Sequence, residues 1–293
     1  MIDSIHTVAV LGMGTMGQGI AQVTATAGLD TYVFDPAPGR AAEAISAIAA
    51  QLERLVAKGK MHDDQRGRAL AALTVAHDVR GACEEADVTI EAAPESMELK
   101  VKLLGEATAA APPGAVIASN TSSLSLTEIG ASIGAPERTL GLHFFNPAPV
   151  MELLEVVRGV ATSEATIELA LAFARAIQKT AIVVRDVPGF VTSRLGAILG
   201  AEAMRMLESG VASAADIDRA MELGYRHPMG PLKLSDLVGL DVRLAILERL
   251  HYELGEQFRP PALLRQMVRA GKLGKKTGEG FYVWKDGAPQ ARP

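Results

Sequence analysis

Gly12-Met13-Gly14-Thr15-Met16-Gly17 stands directly after the apolar run Val8-Ala9-Val10-Leu11 and opens an amphipathic stretch, Gln18 to Ala27. Glycines at these three places have separate mechanical duties. Gly12 permits a tight turn, Gly14 lets the backbone approach a pyrophosphate, and Gly17 lets helix and strand pack closely. The unpaired N–H groups of the first helical turn then face the phosphate charge. Asp35 follows the next apolar run, Thr31-Tyr32-Val33-Phe34. A carboxylate there accepts ribose hydroxyls and repels an extra phosphate on that ribose, so NAD rather than NADP is the expected cofactor. Arg40 suits either a phosphate contact or a solvated arginine at a helix start, and the second is the expected reading.

Two more constellations carry polar chemistry at strand ends. Ser119-Asn120-Thr121-Ser122-Ser123 follows a fourth apolar run, at the edge where open α/β sheets bind ligands; taken alone it is equally an N-cap cluster. His143 sits between Leu142 and Phe144-Phe145, ahead of Asn146-Pro147, with Glu155 near the start of the next apolar run. Such a histidine is either a satisfied core residue or a proton acceptor. As an acceptor it suits the oxidation of a secondary alcohol, because the hydroxyl proton must leave as the carbonyl forms. Glu155 would then fix the ring tautomer and stabilise the imidazolium. Ser122 would orient the oxygen that becomes the ketone.

The elements that must position these residues alternate in the first half of the chain. Val8 to Leu11, Thr31 to Phe34, Val88 to Ile90, Ala115 to Ala118, Thr139 to Phe144, Leu154 to Val157 and Ile182 to Val184 are the predicted strands, interleaved with amphipathic stretches. This is the pattern of βαβ units and a mostly parallel sheet. Between the second and third strands, Ile45, Ile48, Leu52, Leu55 and Val56 fall at helical spacing. The turn Ala57-Lys58-Gly59-Lys60 and a second helical stretch around Gln65 to Leu73 follow, giving a helical hairpin inserted into the sheet domain. Lys58 and Lys60 suit phosphate groups of a substrate carrier, or equally a solvated turn. Past Asp186-Val187-Pro188-Gly189 the strand signal nearly vanishes. Helical patterns recur at Phe190 to Glu208, Ala214 to Leu223, Leu232 to Glu253 and Pro261 to Ala270. The expected architecture is thus a Rossmann-type α/β domain over residues 1–187, followed by a smaller all-helical domain over 188–293. Pro289 to Pro293 reads as a loose tail.

Bulk properties bound the partners. With 293 residues, 48% hydrophobic and 22% charged, the chain has material for one large and one smaller core. A net charge of -5 argues against a general nucleic-acid or anionic-membrane binder. The single cysteine, Cys83, excludes an intramolecular disulfide and a four-cysteine zinc site, and suits a reducing, cytoplasmic setting. No metal is expected. Met1-Ile2-Asp3-Ser4 supplies no basic segment ahead of an apolar run, and no stretch has the length of a membrane span.

Several ordered motifs together resemble the 3-hydroxyacyl-CoA dehydrogenase family in its single-function 3-hydroxybutyryl-CoA form. They are Ala118 to Ser123, Leu142 to Pro147, Pro188-Gly189-Phe190, Pro228-Met229-Gly230-Pro231 and Gly274 to Tyr282. The resemblance implies oxidation of an (S)-3-hydroxyacyl-CoA by NAD, with His143 as base, Glu155 as its orienting carboxylate and Ser122 on the substrate. It places Glu95 and Lys100 beside the cofactor and pairs Arg194 with Glu95 across the domains. One position departs: where the family carries asparagine before that arginine, this chain has Ser193. Gly12, Gly14, Met16, Gly17, Asp35, Glu95, Lys100 and Asn120 are therefore assigned to the cofactor. His143, Glu155, Ser122 and Ser193 are assigned to catalysis, and Ser122, Asn146, Lys58 and Lys60 to the substrate.

Rival readings are a related dehydrogenase acting on an acyl-carrier-protein thioester or on a free acid such as gulonate or carnitine, and a non-catalytic NAD sensor. A homodimer is expected, because the helical domain resembles the family's dimerisation unit. Leu199, Met204, Met206, Leu207, Leu237 and Leu240 are candidates for a shared surface or for an internal core.

Overall fold

The computed structural model describes residues 5–290, so the readings made at residues 1–4 and 291–293 lie outside the described residues. The chain divides into two compact units, one ending at Val187 and the other beginning at Pro188.

The first unit runs β1 (Thr7–Leu11), α1 (Thr15–Thr26), β2 (Asp30–Phe34), α2 (Arg40–Ala57), α3 (Asp63–Ala71), β3 (Leu73–Val75), α4 (Val79–Cys83) and β4 (Val88–Glu91). It continues with α5 (Met97–Ala110), β5 (Val116–Ser119), α6 (Leu126–Ser132), β6 (Thr139–Phe144), β7 (Leu153–Arg158), α7 (Glu164–Ala176) and β8 (Thr180–Arg185). The strands form one sheet in the order β3-β2-β1-β4-β5-β6-β7-β8. Its central strands are buried throughout because helices cover both faces: no residue of β4, β5 or β6 is exposed. The chain leaves β1 toward β2 and returns to β4 on the other side, so the crevice at the carboxyl ends of β1 and β4 is the switch point where such sheets take ligands. All pairings are parallel except β6 with β7.

Two features differ from the sequence expectation. The second helix of the inserted hairpin ends at Ala71, and Leu73–Val75 joins the sheet edge as an eighth strand, with Leu73 opposite Thr31. Three residues are too few for alternation to separate a strand from a helix end; pairing with β2 decides it. The short helix α4 is fixed by Asp78, whose Oδ1 accepts from Gly81 N at 2.7 Å.

The second unit holds α8 (Thr192–Glu208), α9 (Ala214–Gly224), α10 (Pro231–Val238), α11 (Leu240–Leu254) and α12 (Ala262–Arg269), then β9 (Val283–Lys285) and β10 (Ala288–Gln290). The helix expected over Leu232 to Glu253 is broken at Gly239, whose φ of 104° no helix accommodates. The expected all-helical domain also ends in a two-stranded hairpin, so Pro289 and Gln290 pair with β9 instead of forming a tail. Asp286-Gly287, both at positive φ, make the turn. Two fully buried carboxylates bind the unit together. Asp218 accepts from Leu232 N, Lys233 N and the Tyr282 hydroxyl, and Asp236 from Phe281 N, Tyr282 N and Trp284 Nε1. The motifs at residues 228–231 and 274–282 are therefore the two segments that these carboxylates fasten.

α1 packs closely on the glycine loop. A Cβ placed on Gly17 would lie 1.8 Å from the Gly12 carbonyl oxygen. Gly17→Ala is expected to destabilise the protein by about 1–3 kcal/mol, the usual cost of overpacking, and to weaken NAD binding with it. Urea unfolding and a cofactor titration of the purified variant check both; an unchanged midpoint would contradict the packing argument.

Candidate active site

The loop after β1 is held from both sides. Gly12 N donates to Phe34 O at 2.8 Å, and Asp35 accepts from Met13 N at 2.7 Å and from Ala37 N at 2.9 Å. Asp35, at the end of β2, therefore shapes the loop, besides standing where the sequence leads one to expect the ribose. A Cβ on Gly14 would meet no atom within 4 Å, which leaves open space in front of the loop. No side chain caps α1 and its first turn carries no acidic residue, so its N–H groups remain available to an anion. Met16, half-buried, packs its side chain on the core below. These residues fit a dinucleotide pyrophosphate and its adenosine ribose.

A buried ionic network lies across the carboxyl ends of β4 and β5. Lys100, only 1% exposed, places Nζ 2.7 Å from Glu91 Oε1, 3.1 Å from Ala93 O and 3.3 Å from Glu95 Oε2. Glu91 is fully buried, and its other oxygen accepts from the Ser119 hydroxyl at 2.6 Å. Glu95 in turn accepts from the hydroxyls of Thr121 at 2.5 Å and Ser123 at 2.8 Å, and from Ser122 N at 3.3 Å. Burial pushes the Glu95 carboxyl up, but the Thr121 hydroxyl, the Lys100 charge and the Ser123 hydroxyl together hold it below the usual carboxylate range. Sequence reasoning singled out Glu95 and Lys100 and missed Glu91, the residue on which Lys100 is anchored. A charged residue closing an otherwise apolar strand, Val88-Thr89-Ile90-Glu91, was the available signal.

His143 and Glu155 are direct cross-strand partners in the antiparallel β6–β7 pair. Nδ1 of His143 lies 2.7 Å from Oε2 of Glu155, with Glu155 fully buried and His143 6% exposed. A carboxylate at that distance accepts a hydrogen bond from Nδ1–H, which leaves the lone pair on Nε2 as the basic site. The ring also packs against Phe145, centroids 4.7 Å apart. Asn120 Oδ1 accepts from Phe144 N at 2.9 Å, which ties the segment carrying Ser122 to the end of β6 next to His143. Ser122 is half-buried, and among the described residues no group pairs with its hydroxyl.

Beside the glycine loop, α1, α2 and residues 146–150 enclose a cavity of about 670 Å³. Asn146 lines it, as do Arg40, Gln51 and Arg54. Lys58 and Lys60 stand exposed in the turn beyond and are not among its lining residues. Arg40, expected to be merely solvated, faces this cavity, and Arg54 was not anticipated. Gln22, 5% exposed, also lines it, with an Oε1 that has no partner among the described residues. Ser193 and Arg194 belong to the second unit, at the start of α8, where the Arg194 guanidinium lies 5.7 Å from the centre of the Phe258 ring. Among the described residues no group of histidine, cysteine and acidic side chains is placed to hold a metal ion. Cys83 is buried and its thiol is pushed up to about 11 by that burial.

A dinucleotide loop at the switch point of a doubly wound sheet, with a buried His–Glu pair at a neighbouring strand end, defines an NAD-dependent dehydrogenase. Comparison with known proteins specifies which. The profile of the 3-hydroxyacyl-CoA dehydrogenase NAD binding domain matches residues 7–187, and that of the same family's C-terminal domain matches residues 189–284. A probable 3-hydroxybutyryl-CoA dehydrogenase of Bacillus subtilis (strain 168) is 43% identical over 283 residues, covering 96% of this chain and 98% of the relative. The 3-hydroxybutyryl-CoA dehydrogenase of Mycobacterium tuberculosis is 42% identical, covering 97% and 100%. The crystal structure of (S)-3-hydroxybutyryl-CoA dehydrogenase PaaH1 from Ralstonia eutropha is similar with a TM-score of 0.92 at 40% identity, over 97% of this chain and all of that one. The chain belongs to the 3-hydroxyacyl-CoA dehydrogenase family and is an NAD-dependent oxidoreductase.

The buried pair Lys100–Glu91 yields a stability prediction. Lys100→Met leaves Glu91 without its counter-charge in a dry site, and is expected to cost about 3–5 kcal/mol. The double change Lys100→Met with Glu91→Gln should recover part of that loss. Equilibrium unfolding of the three proteins checks it, and equal stabilities would remove the pair from its structural role.

Proposed function

We propose that this protein oxidises the secondary alcohol of a short (S)-3-hydroxyacyl-CoA, such as 3-hydroxybutyryl-CoA, to the 3-oxoacyl-CoA, or runs the reverse reaction. The observation that carries this reading is the His143–Glu155 pair. Bound NAD supplies the hydride acceptor. His143 Nε2 takes the hydroxyl proton as the carbonyl forms, while Glu155 holds the ring and stabilises the imidazolium in a site where water cannot screen it. Ser122 steadies the reacting oxygen with its hydroxyl, and Ser193 stands where the family carries asparagine.

In this reading the Gly12–Gly17 loop and Asp35 hold the cofactor. Lys100 and Glu95 act through the segment 119–123 that they brace, with Met16 and Asn120 completing that wall. The cavity beside the loop takes the carrier: Arg40 and Arg54 meet CoA phosphates, with Lys58 and Lys60 adding charge at its mouth, and a pantetheine amide N–H satisfies Gln22 Oε1. Asn146 lines the same path. The second unit supplies substrate contacts and the subunit interface. Of the apolar residues considered for that interface, Met204 and Leu240 are fully buried in the unit's own core, whereas Leu199 and Leu237 are 43% and 45% exposed. Leu195, Leu234, Val238 and Val242 are exposed with them, and a homodimer that covers this set is part of the proposal. So is a cytoplasmic setting, which suits a single free, buried cysteine. No helix among the described residues is long and apolar enough to cross a membrane.

Purified protein mixed with acetoacetyl-CoA and NADH should consume the nicotinamide absorbance; no consumption with any thioester would turn the reading toward a cofactor sensor. Faster turnover of the carrier-protein thioester or of free 3-hydroxy acids than of the CoA ester would move the substrate class. His143→Gln should keep NAD affinity and lower turnover by about two to four orders of magnitude, with Glu155→Gln milder but still large. Wild-type turnover in either variant, under conditions where chemistry limits the rate, would relocate the proton transfer. NAD should be strongly preferred over NADP, and Asp35→Ser should narrow that preference while loosening the loop it binds. Equal kcat/KM for both cofactors in the wild type would overturn the role given to Asp35.

A further inference from the structure

The connection between β6 and β7 spans residues 145–152, and residues 146–150 form one wall of the cavity beside the glycine loop. Its middle is seated on α1: Ala148 is 3% exposed, and a Cβ placed on Gly19 would come within 3.1 Å of Ala148 Cβ and 3.4 Å of Pro149 Cδ. The N–H groups of Val150 and Met151 both donate to Pro147 O, at 2.9 and 3.1 Å, which leaves the carbonyls of Ala148 and Met151 to be satisfied from elsewhere. Lys179 serves both. Its Nζ lies 2.8 Å from Ala148 O and 2.7 Å from Met151 O.

The backbone aims this lysine. α7 ends at Ala176, and Lys179 N closes on Ala174 O at 2.8 Å. Gln178, one residue before it, takes a φ of 57°, a left-handed conformation that a residue with a Cβ seldom adopts. Thr180 N then donates to Glu152 O at 2.9 Å, so β8 enters the sheet beside the last residue of the same connection. Lys179 is thus fixed from both sides. An ammonium bonded to two carbonyls three residues apart sets the path of the chain between them, Pro149 and Val150, both exposed and both lining the cavity. Lys179 itself is not among the lining residues, so it acts on a ligand only through this wall.

We propose that Lys179 is a positioning residue for the carrier part of the thioester: by holding Pro149 and Val150 in place it sets the affinity for CoA, and it takes no part in proton transfer. The inference rests on the reading above, in which this cavity takes the carrier. Its separation from proton transfer follows from the strand pairing. His143 and Glu155 face each other within a register that runs from Leu140 opposite Arg158 to Phe144 opposite Leu154, so the ladder holds them whether or not the connection beyond is braced. Without the ammonium, two carbonyls lose their donor and the wall gains freedom. A ligand must then order that wall as it binds, and the cost falls on KM.

Two thioesters that share the reacting end test it: acetoacetyl-CoA and S-acetoacetyl-N-acetylcysteamine, which keeps only the last amide of the carrier. With NADH as reductant, Lys179→Met should raise KM for acetoacetyl-CoA about tenfold, the worth of one hydrogen bond to a charged group. Its kcat on acetoacetyl-CoA, and its kcat/KM on the truncated thioester, should stay within about twofold of the wild type. Lys179→Arg keeps the charge and a fork of donors, and should recover most of the lost affinity. Titration of free CoA into each protein should give Kd values in the same order. An equal fall on both thioesters would overturn the proposal, because it would put Lys179 behind the His143–Glu155 pair. So would a lowered melting temperature in Lys179→Met with KM and the CoA Kd unmoved, the result expected of a residue that serves only the fold. If Lys179→Met does not fold, Lys179→Gln, which retains an amide donor, carries the same comparison. A wild-type protein that does not reduce acetoacetyl-CoA sinks the functional reading itself; one that does, with a KM unmoved in the Lys179 variants, sinks only this assignment.

Discussion

Glu91 and Lys100 place a full ion pair where the sheet changes direction, at the carboxyl end of β4, with neither partner reaching solvent. Taking both charges out of water is costly, and the arrangement holds because every donor of the ammonium and both carboxylate oxygens find partners. Those partners are the parts of the site. Ser119 ends β5, Ala93 lies in the β4–α5 loop, and Glu95 gathers the hydroxyls of Thr121 and Ser123 and the N–H of Ser122. A charge that cannot relax into water thereby fixes the backbone of three segments at once. The loop carrying Ser122 is tied to the same network that buries Lys100.

The His143–Glu155 pair uses a different device. In a parallel pair, residues brought opposite one another come from strands joined by a long crossover. The antiparallel turn of β7 against β6 brings Glu155 beside His143 from twelve residues away in sequence. One reversal in an otherwise parallel sheet thus supplies a histidine with a fully buried carboxylate. Asn120 Oδ1 then joins this corner to the hydroxyl-bearing segment through Phe144 N. His143, Glu155 and Ser122, the residues given proton transfer, orientation and substrate contact in the proposed function, are held by strand ends and one side-chain bridge.

The second unit is organised by buried acids as the first is by a buried pair. Asp218 and Asp236 each satisfy three donors, so their charges are spent on backbone amides, an indole and a phenol. Burial and the neighbouring Asp218 hold the Tyr282 phenol well above its ordinary range, which keeps it a donor. Against this background of satisfied groups, Arg243 stands apart as a cation for which the unit provides no acid.

Sequence alone determined the local chemistry. Glycine spacing after an apolar run pointed to an NAD-binding fold, the hydrophobic periods to the sheet, the inserted hairpin and the helical second half, and ordered motifs to the family. These features are legible because each is satisfied within a few residues of chain. What spans distance was not. The strand at Leu73–Val75, the break at Gly239, the anchoring of Lys100 on Glu91, and the cavity that gathers Arg40 and Arg54 exist only once segments far apart in sequence are packed together. The same holds for Arg243: its residue type was visible from the start, but only the approach of α11 to Gly196 made it a buried charge without a partner. Periodicity reports which face of an element is apolar, whereas the company a buried charge keeps is decided by tertiary contacts, because desolvation depends on everything that surrounds the group.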